Sequence, residues 1–374
     1  MATFNAPEFR KQLHRNPELS NQEEETALAI ATQLQAFGLS PITKIGGHGI
    51  ICVFEGTEEG ETTLIRADFD AIQVKEKAEH NHASLNDGVM HGCGHDGHTT
   101  SLLSVAEQLS KYPPHKGKVI LLFQPAEETG TGAKEMLADH NLSGLPVENV
   151  FAYHNLPGYP LHEVVVKKGT FACASTGISI ELQGKTSHAA YPSRGISPVN
   201  EMIELINFLQ DLPQKYADTF SLVTIVHAIL GEEAFGVSAG SAKVMATLRS
   251  ECNATFVDMQ NQILDKINLM QQQSKLKIQY SWHEPFNAAS NSNVHVEQLI
   301  QQAQKLDLSV TELDEPLRWS EDFAEFLLKS PGALFGIGSG IDHAELHNPD
   351  YDFPDQILTT ASNLFLSLIE SKHR

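Results

Sequence analysis

Val119-Ile120-Leu121-Leu122-Phe123-Gln124-Pro125-Ala126-Glu127-Glu128 is an unbroken apolar run that ends in a proline turn and two adjacent acids. A short apolar run bounded by turn residues reads as a strand buried on both faces. Residues 50–54, 64–67 and 150–153 repeat the pattern. Helical periodicity fills residues 99–109 and 133–141 between them. Strands that alternate with helices predict an α/β layer around a mixed, mainly parallel sheet. Ahead of it, Asn5 and Pro7 read as the cap and first turn of a helix reaching about residue 15. A second helix is expected over residues 23–37, with Gly38 placed to end it.

The rhythm changes after Gly169. Strand, helix, strand, strand, helix and strand are expected over residues 177–182, 198–212, 222–230, 243–249, 256–272 and 276–282. That order, βαββαβ, is ferredoxin-like. Past Pro285 the first style resumes, with helices expected over 294–306, 320–328 and 356–371 and a short strand over 333–336. The economical division is a catalytic, metal-binding domain of residues 1–172 and 286–374, interrupted by a smaller inserted domain of residues 173–285.

Composition narrows the function. The 374 residues carry a net charge of −21 and no basic run, which argues against a nucleic-acid partner or an anionic membrane surface. No apolar stretch of about 18 residues is present, so no transmembrane helix is expected. Residues 1–15 lack an apolar leader core, and the reading is cytoplasmic. Cys52, Cys93, Cys173 and Cys252 are scattered and form no C-x-x-C pair, so thiols are expected rather than disulfides.

The chemistry concentrates in Met90-His91-Gly92-Cys93-Gly94-His95-Asp96-Gly97-His98. Imidazole and thiolate suit borderline-soft divalent metals, and glycine lets side chains converge from one short loop. Further donors stand at the ends of expected strands, where open α/β sheets place their sites. They are Asp68 and Asp70 after residues 64–67, Glu127 and Glu128 after 119–123, His154 after 150–153, and His347 beyond 333–336. Singly, each reads as an acidic turn, a helix start or a packed histidine. Five such coincidences on one sheet point to one or two divalent ions.

The chain then resembles the aminoacylase and carboxypeptidase family of metal-dependent amidohydrolases. It is most similar to bacterial N-acyl-amino-acid amidohydrolases, hippurate hydrolases and plant auxin-conjugate hydrolases. The resemblance rests on Arg66-Ala67-Asp68-Phe69-Asp70-Ala71, the Met90–His98 run, Gln124–Glu128, His154-Asn155-Leu156-Pro157, Gly184–Pro192 with His188, Glu321-Asp322-Phe323 and His347-Asn348-Pro349. It implies that Cys93, His95, Glu128, His154 and His347 hold two divalent ions, zinc or manganese first and cobalt or nickel also accepted. It implies Glu127 as general base, and Asp70 as the acid that orients a metal ligand. It implies His188, in the inserted lid, as a contact for substrate or tetrahedral intermediate, and Arg249 as a contact for the substrate carboxylate. The implied substrate is a small N-acyl-L-amino acid, and the implied assembly is a homodimer through the inserted domain. Ile72-Gln73, Thr186-Ser187, Arg194 and Gly236 depart from the family pattern, and these departures bear on substrate choice. A dipeptidase or carboxypeptidase on the same scaffold, or a non-catalytic metal-dependent binding protein, are the alternatives.

Overall fold

The apolar runs form the centre of an eight-stranded sheet in the computed structural model, which describes residues 4–374. The first three residues of the 1–15 stretch read above lie outside the described residues. Across the sheet the order is Ile42–Ile45, Gly49–Glu55, Lys116–Gln124, Glu58–Asp68, Asn149–Pro157, Gly332–Gly340, Val164–Val166 and Val310–Glu312. Lys116–Gln124, Glu58–Asp68, Asn149–Pro157 and Gly332–Gly340 are mutually parallel. Gly49–Glu55 and Val164–Val166 flank them antiparallel, so the sheet is mixed and mainly parallel.

From Glu58–Asp68 the chain moves to one side, to Lys116–Gln124, and next returns past it to Asn149–Pro157. This reversal is the switch point where an open α/β sheet leaves a crevice at the carboxyl ends of its strands. Asp68 pairs with Gln124 in the register there. Alternate residues Val119, Leu121 and Phe123 enter the main core with Leu102, Leu103 and Val105 of the helix His95–Lys111, and Leu364, Phe365 and Leu368 of the helix Ile357–His373.

Several elements differ from the sequence expectation. The helix expected over 133–141 is two pieces, Gly132–Ala138 and His140–Ser143. Asp139 stands between them with an extended backbone, and its carboxylate accepts from the Asn141 amide. A short acid able to cap a helix restarts it rather than continuing it. The helix expected over 320–328 shrinks to Ala324–Leu327. Asp322 is drawn into a buried network instead, accepting from Gln124 and the Ala133 amide.

The helix carrying His95 begins abruptly. Gly94, at φ +93°, takes the left-handed conformation ahead of it. A side chain there would meet Asn155 Oδ1 at 2.5 Å and the Tyr351 hydroxyl at 2.7 Å. Glycine is the residue that accepts both the angle and the close approach.

The first of two units runs through Phe171 and resumes at Ala289–Glu315 and Asp322–Arg374. The second comprises Ala172–Ala288 and Pro316–Glu321. Its strands lie in the order Ser221–Leu230, Ser241–Ser250, Ala174–Gln183 and Lys277–Phe286, antiparallel throughout. The helices Val199–Asp211 and Asn253–Gln273 complete a βαββαβ arrangement. Its own core includes Ile180, Leu205, Leu209, Val244, Leu248 and Ile263. Among the described residues no helix is long and apolar enough to cross a membrane.

One buried imidazole in the first unit makes stability pH-dependent. His295 Nε2 lies 2.9 Å from Asn149 Oδ1, and burial, followed by repulsion from Lys372, pushes its pKa down to about 4. The unfolded chain therefore takes up this proton first as pH falls, and stability is lost between the ordinary histidine value of about 6.5 and about 4. The drop in melting temperature from pH 7 to pH 5 should be smaller in His295→Gln than in the wild type. Equal drops would assign the pH dependence to other groups.

Candidate metal centre

The strand ends and the Gly-rich loop converge in the first unit. Single donor atoms of Cys93, His95 and His154 lie within 4.8 Å of one another, as do those of Cys93, Glu128 and His347, and those of His95, Glu127 and Glu128. Cys93 Sγ is 3.4 Å from both His154 Nε2 and His347 Nε2. His347 Nε2 is 3.5 Å from Glu128 Oε1. His95 Nε2 is 4.0 Å from an oxygen of Glu127 and 4.0 Å from one of Glu128. Cys93 thus stands in two of the three groups.

The imidazoles of His95 and His154 are held by the nitrogen that faces away from this cluster. His95 Nδ1 hydrogen-bonds the Asp70 carbonyl and Oδ1, at 3.0 and 3.1 Å. His154 Nδ1 donates to the Asn155 carbonyl at 2.8 Å. Both rings therefore present Nε2 inward, the arrangement by which a partner fixes the tautomer and aim of a metal-binding histidine. His347 reaches the cluster from a left-handed backbone, φ +64°, with its amide donating to the Gly92 carbonyl at 2.8 Å.

The donors fit a cation better than they fit one another. His95 Nε2 and Glu128 Oε1 are buried without a hydrogen-bond partner, an arrangement that costs free energy unless something is coordinated there. Burial, with Glu128 and Glu127 adding to it, pushes the Cys93 thiol well above its ordinary value. Burial and His98 hold His154 neutral. A thiolate therefore needs a positive partner at this place, and a neutral imidazole is ready to be one of its co-ligands. Sulfur, nitrogen and carboxylate oxygen together suit zinc and its first-row neighbours.

His91 and His98 belong to the same loop and helix start but stand apart from these groups. His98 is occupied at both nitrogens, by Asp68 Oδ1 and Asn155 Oδ1, each at 2.6 Å. Asp68 is committed to Arg66 and His98; burial opposes its charge, but Arg66, His95 and His98 hold it well below the usual carboxylate range. Asp96 accepts from the Gly97 amide at the helix start and from His14.

The Glu127–Glu128 turn is fixed from three sides. Asp70 Oδ2 accepts from the Glu128 amide at 3.0 Å and from Ser20 at 2.7 Å. The Asp322 amide donates to Glu127 Oε1 at 3.4 Å. Ala126 takes a left-handed backbone, φ +53°, and its amide donates to Glu23 Oε1 at 2.8 Å. Burial, then repulsion from Asp70, pushes Glu23 up to about 7. Sequence reading placed Glu23 only at the start of a helix, and nothing in its neighbourhood along the chain links it to a turn 103 positions away. Asp322, Arg66 and Gln124 fall inside the motifs quoted above, yet only the structure joins them: Arg66 and Gln124 both bond Asp322 Oδ1, at 2.9 and 2.7 Å.

His188 and Arg249 belong to the second unit. His188 is exposed on a two-residue strand paired with Val237–Ser238, and its Nδ1 accepts from the Ala190 amide at 3.1 Å. Arg249 Nη1 donates to the Arg318 carbonyl at 2.8 Å and to Ser320 at 3.4 Å.

Known proteins are similar to this chain in sequence and in fold. The chain is 31% identical to an N-acetyl-L-cysteine deacetylase of Bacillus subtilis over 95% of its length and 85% of that protein. It is 29% identical to a hippurate hydrolase of Campylobacter jejuni over 96% of its length and 94% of that protein. The crystal structure of the Bacillus subtilis YXEP protein, described as a dinuclear metal binding peptidase, superposes with a TM-score of 0.82 at 27% identity, covering 97% of this chain and 96% of that one. The sequence model of peptidase family M20/M25/M40 matches residues 64–371. With most of its length matched, including every donor of the cluster, the chain belongs to peptidase family M20/M25/M40.

Proposed function

We propose that this protein is a metal-dependent amidohydrolase that hydrolyses the amide bond of N-acyl-L-amino acids, with two divalent ions held by Cys93, His95, Glu128, His154 and His347. The observation that carries the reading is the turn at Glu127 and Glu128, which brings two neighbouring carboxylates to 4.0 Å from the inward nitrogen of His95. One can ligate while the other remains to handle a proton. The deacetylase and hippurate hydrolase relatives act, by name, on N-acyl amino acids, which supports the substrate class.

When bound, the ions supply Lewis acidity toward water and the acyl oxygen. Glu127, tethered by the Asp322 amide, removes a proton from the attacking water as its oxygen adds to the acyl carbon. The C–N bond then breaks, and Glu127 returns the proton to the departing amine nitrogen. Asp70 positions His95 through Nδ1. His188 with Nδ1 as acceptor carries its proton on Nε2, the form that donates to a developing oxyanion. Arg249 is the candidate for the substrate carboxylate. The donor set suits zinc or manganese, and cobalt or nickel as well.

A homodimer through the second unit is supported by its edge strand Ser221–Leu230, which exposes Val226, Ile229 and Leu230. Unpaired apolar edges of this kind favour association. A cytoplasmic location is part of the same reading.

Metal-loaded protein assayed on N-acetyl amino acids, N-benzoyl amino acids and dipeptides tests the substrate class. Turnover of the acyl amino acids is expected. Cleavage of dipeptides alone would move the activity to a dipeptidase, and no turnover of any would leave a binding protein.

A further inference from the structure

A second cluster of imidazoles and carboxylates lies in the first unit, outside the groups that contain Cys93 and His95. His14 comes from the helix Ala6–Arg15, Glu76 and His80 from the long loop after the strand Glu58–Asp68, and Asp352 from the segment before the last helix. Single donor atoms of His14, His80 and Asp352 lie within 4.8 Å of one another. His14 is fully buried, and its Nδ1 hydrogen-bonds Asp96 Oδ2 at 2.8 Å. That bond aims Nε2 at Glu76 Oε1, 3.2 Å away. His80 Nε2 approaches the same Glu76 oxygen at 3.1 Å and Asp352 Oδ2 at 3.9 Å.

Two observations set this cluster apart from an ordinary charge network. Neither ring nitrogen of His80 has a hydrogen-bond partner, although Nε2 is 3.1 Å from a carboxylate oxygen. Close approach without alignment is the relation between atoms that share a cation: with metal–ligand distances of about 2.0–2.1 Å, tetrahedral ligands sit about 3.3 Å apart and need not point at each other. The His80 ring is also held in plane by His82, stacked at 3.7 Å between centroids and 6° between planes. The second observation is charge. Asp96, Asp352 and Asp355 face the buried Arg10, with Lys11 on the outer side of Asp355, and Glu76 adds a fourth carboxylate beside His14 and His80. Arg10 takes Asp352 through Oδ1 at 2.6 Å, while Oδ2 is the oxygen nearer His80.

We propose that His14, Glu76, His80 and Asp352 bind one divalent cation of the zinc class, separate from the centre built on Cys93 and His95. The carboxylate behind His14 has the same orienting relation that Asp70 has to His95. The His80 side chain is 21% exposed, which leaves the ion a route from solvent. The ion acts as a clamp: it joins the loop to the first helix and to the Asp352 segment, along a seam where the Lys77 amide already donates to the Pro349 carbonyl at 2.7 Å.

Elemental analysis of zinc-loaded protein, freed of loosely bound metal, tests this directly. Wild type should hold one ion more per chain than His80→Ala, with kcat unchanged and the melting temperature of the variant lower. Cys93→Ala should retain the ion that His80→Ala loses. Equal zinc in wild type and His80→Ala would overturn the proposal. A zinc-edge anomalous map of wild-type crystals gives an answer that does not depend on a variant folding: a peak bridging His14 and His80 is expected, and none there beside a filled Cys93 centre would overturn it.

Discussion

Glu127→Gln is expected to lower kcat by about 10²–10⁴-fold, the usual contribution of a general acid–base group, while bound metal stays at the wild-type level. Glutamine keeps the size of the side chain and can still accept from the Asp322 amide through its carbonyl oxygen. It cannot take a proton from water or give one to the leaving amine. The three groups that include Cys93, His95, Glu128, His154 and His347 do not need Glu127 except beside His95 and Glu128. Steady-state kinetics paired with elemental analysis separates the roles. A variant within about tenfold of wild type would remove Glu127 as the base. One that lost metal along with activity would make it a ligand instead.

Cys93→Ala should have the largest effect on metal binding. Its sulfur lies 3.4 Å from both His154 and His347 and belongs to two donor groups. Residues that merely orient a ligand already change metal affinity by about 10–100-fold, so removal of a sulfur that stands in two donor groups should exceed that. Equilibrium dialysis against a competing chelator reads the loss. His347→Ala is the useful contrast, because His347 stands with Cys93 and Glu128 but not in the group of Cys93, His95 and His154. It should weaken one ion and spare the other. Wild-type metal content in Cys93→Ala would end the assignment of Cys93.

Much of this was written along the chain. The central strands announce themselves because a strand buried on both faces is apolar at successive positions, as Lys116–Gln124 is over the five residues Val119 to Phe123. The strand Ser241–Ser250 shows the other pattern, with buried residues at alternate positions. The acids and histidines at the strand ends were visible because a metal site needs donor side chains of particular types. Elements of three residues, such as Val164–Val166 and Val310–Glu312, were not visible, since no period develops over so short a span. The break at Asp139 was missed for a related reason: helical apolar spacing continues through it, and a single capping side chain decides the outcome.

The sequence by itself determined the α/β layer, the βαββαβ insertion and the chemical types of the donors, because apolar periodicity and residue chemistry are local properties. Tertiary structure alone decided which donors share a point in space. It brought His347 to Cys93 across 254 positions and Glu23 to the Ala126 turn across 103. It occupied both nitrogens of His98 and left Nε2 of His95 free of hydrogen bonds, which sorts two histidines of one short motif into different roles. It also gathered His14, His80 and Asp352, residues with no pattern in common along the chain. Their relation depends on how the first helix, a long loop and the C-terminal segment pack. That packing is set by the burial of all three against the same core, and not by any feature of the residues themselves.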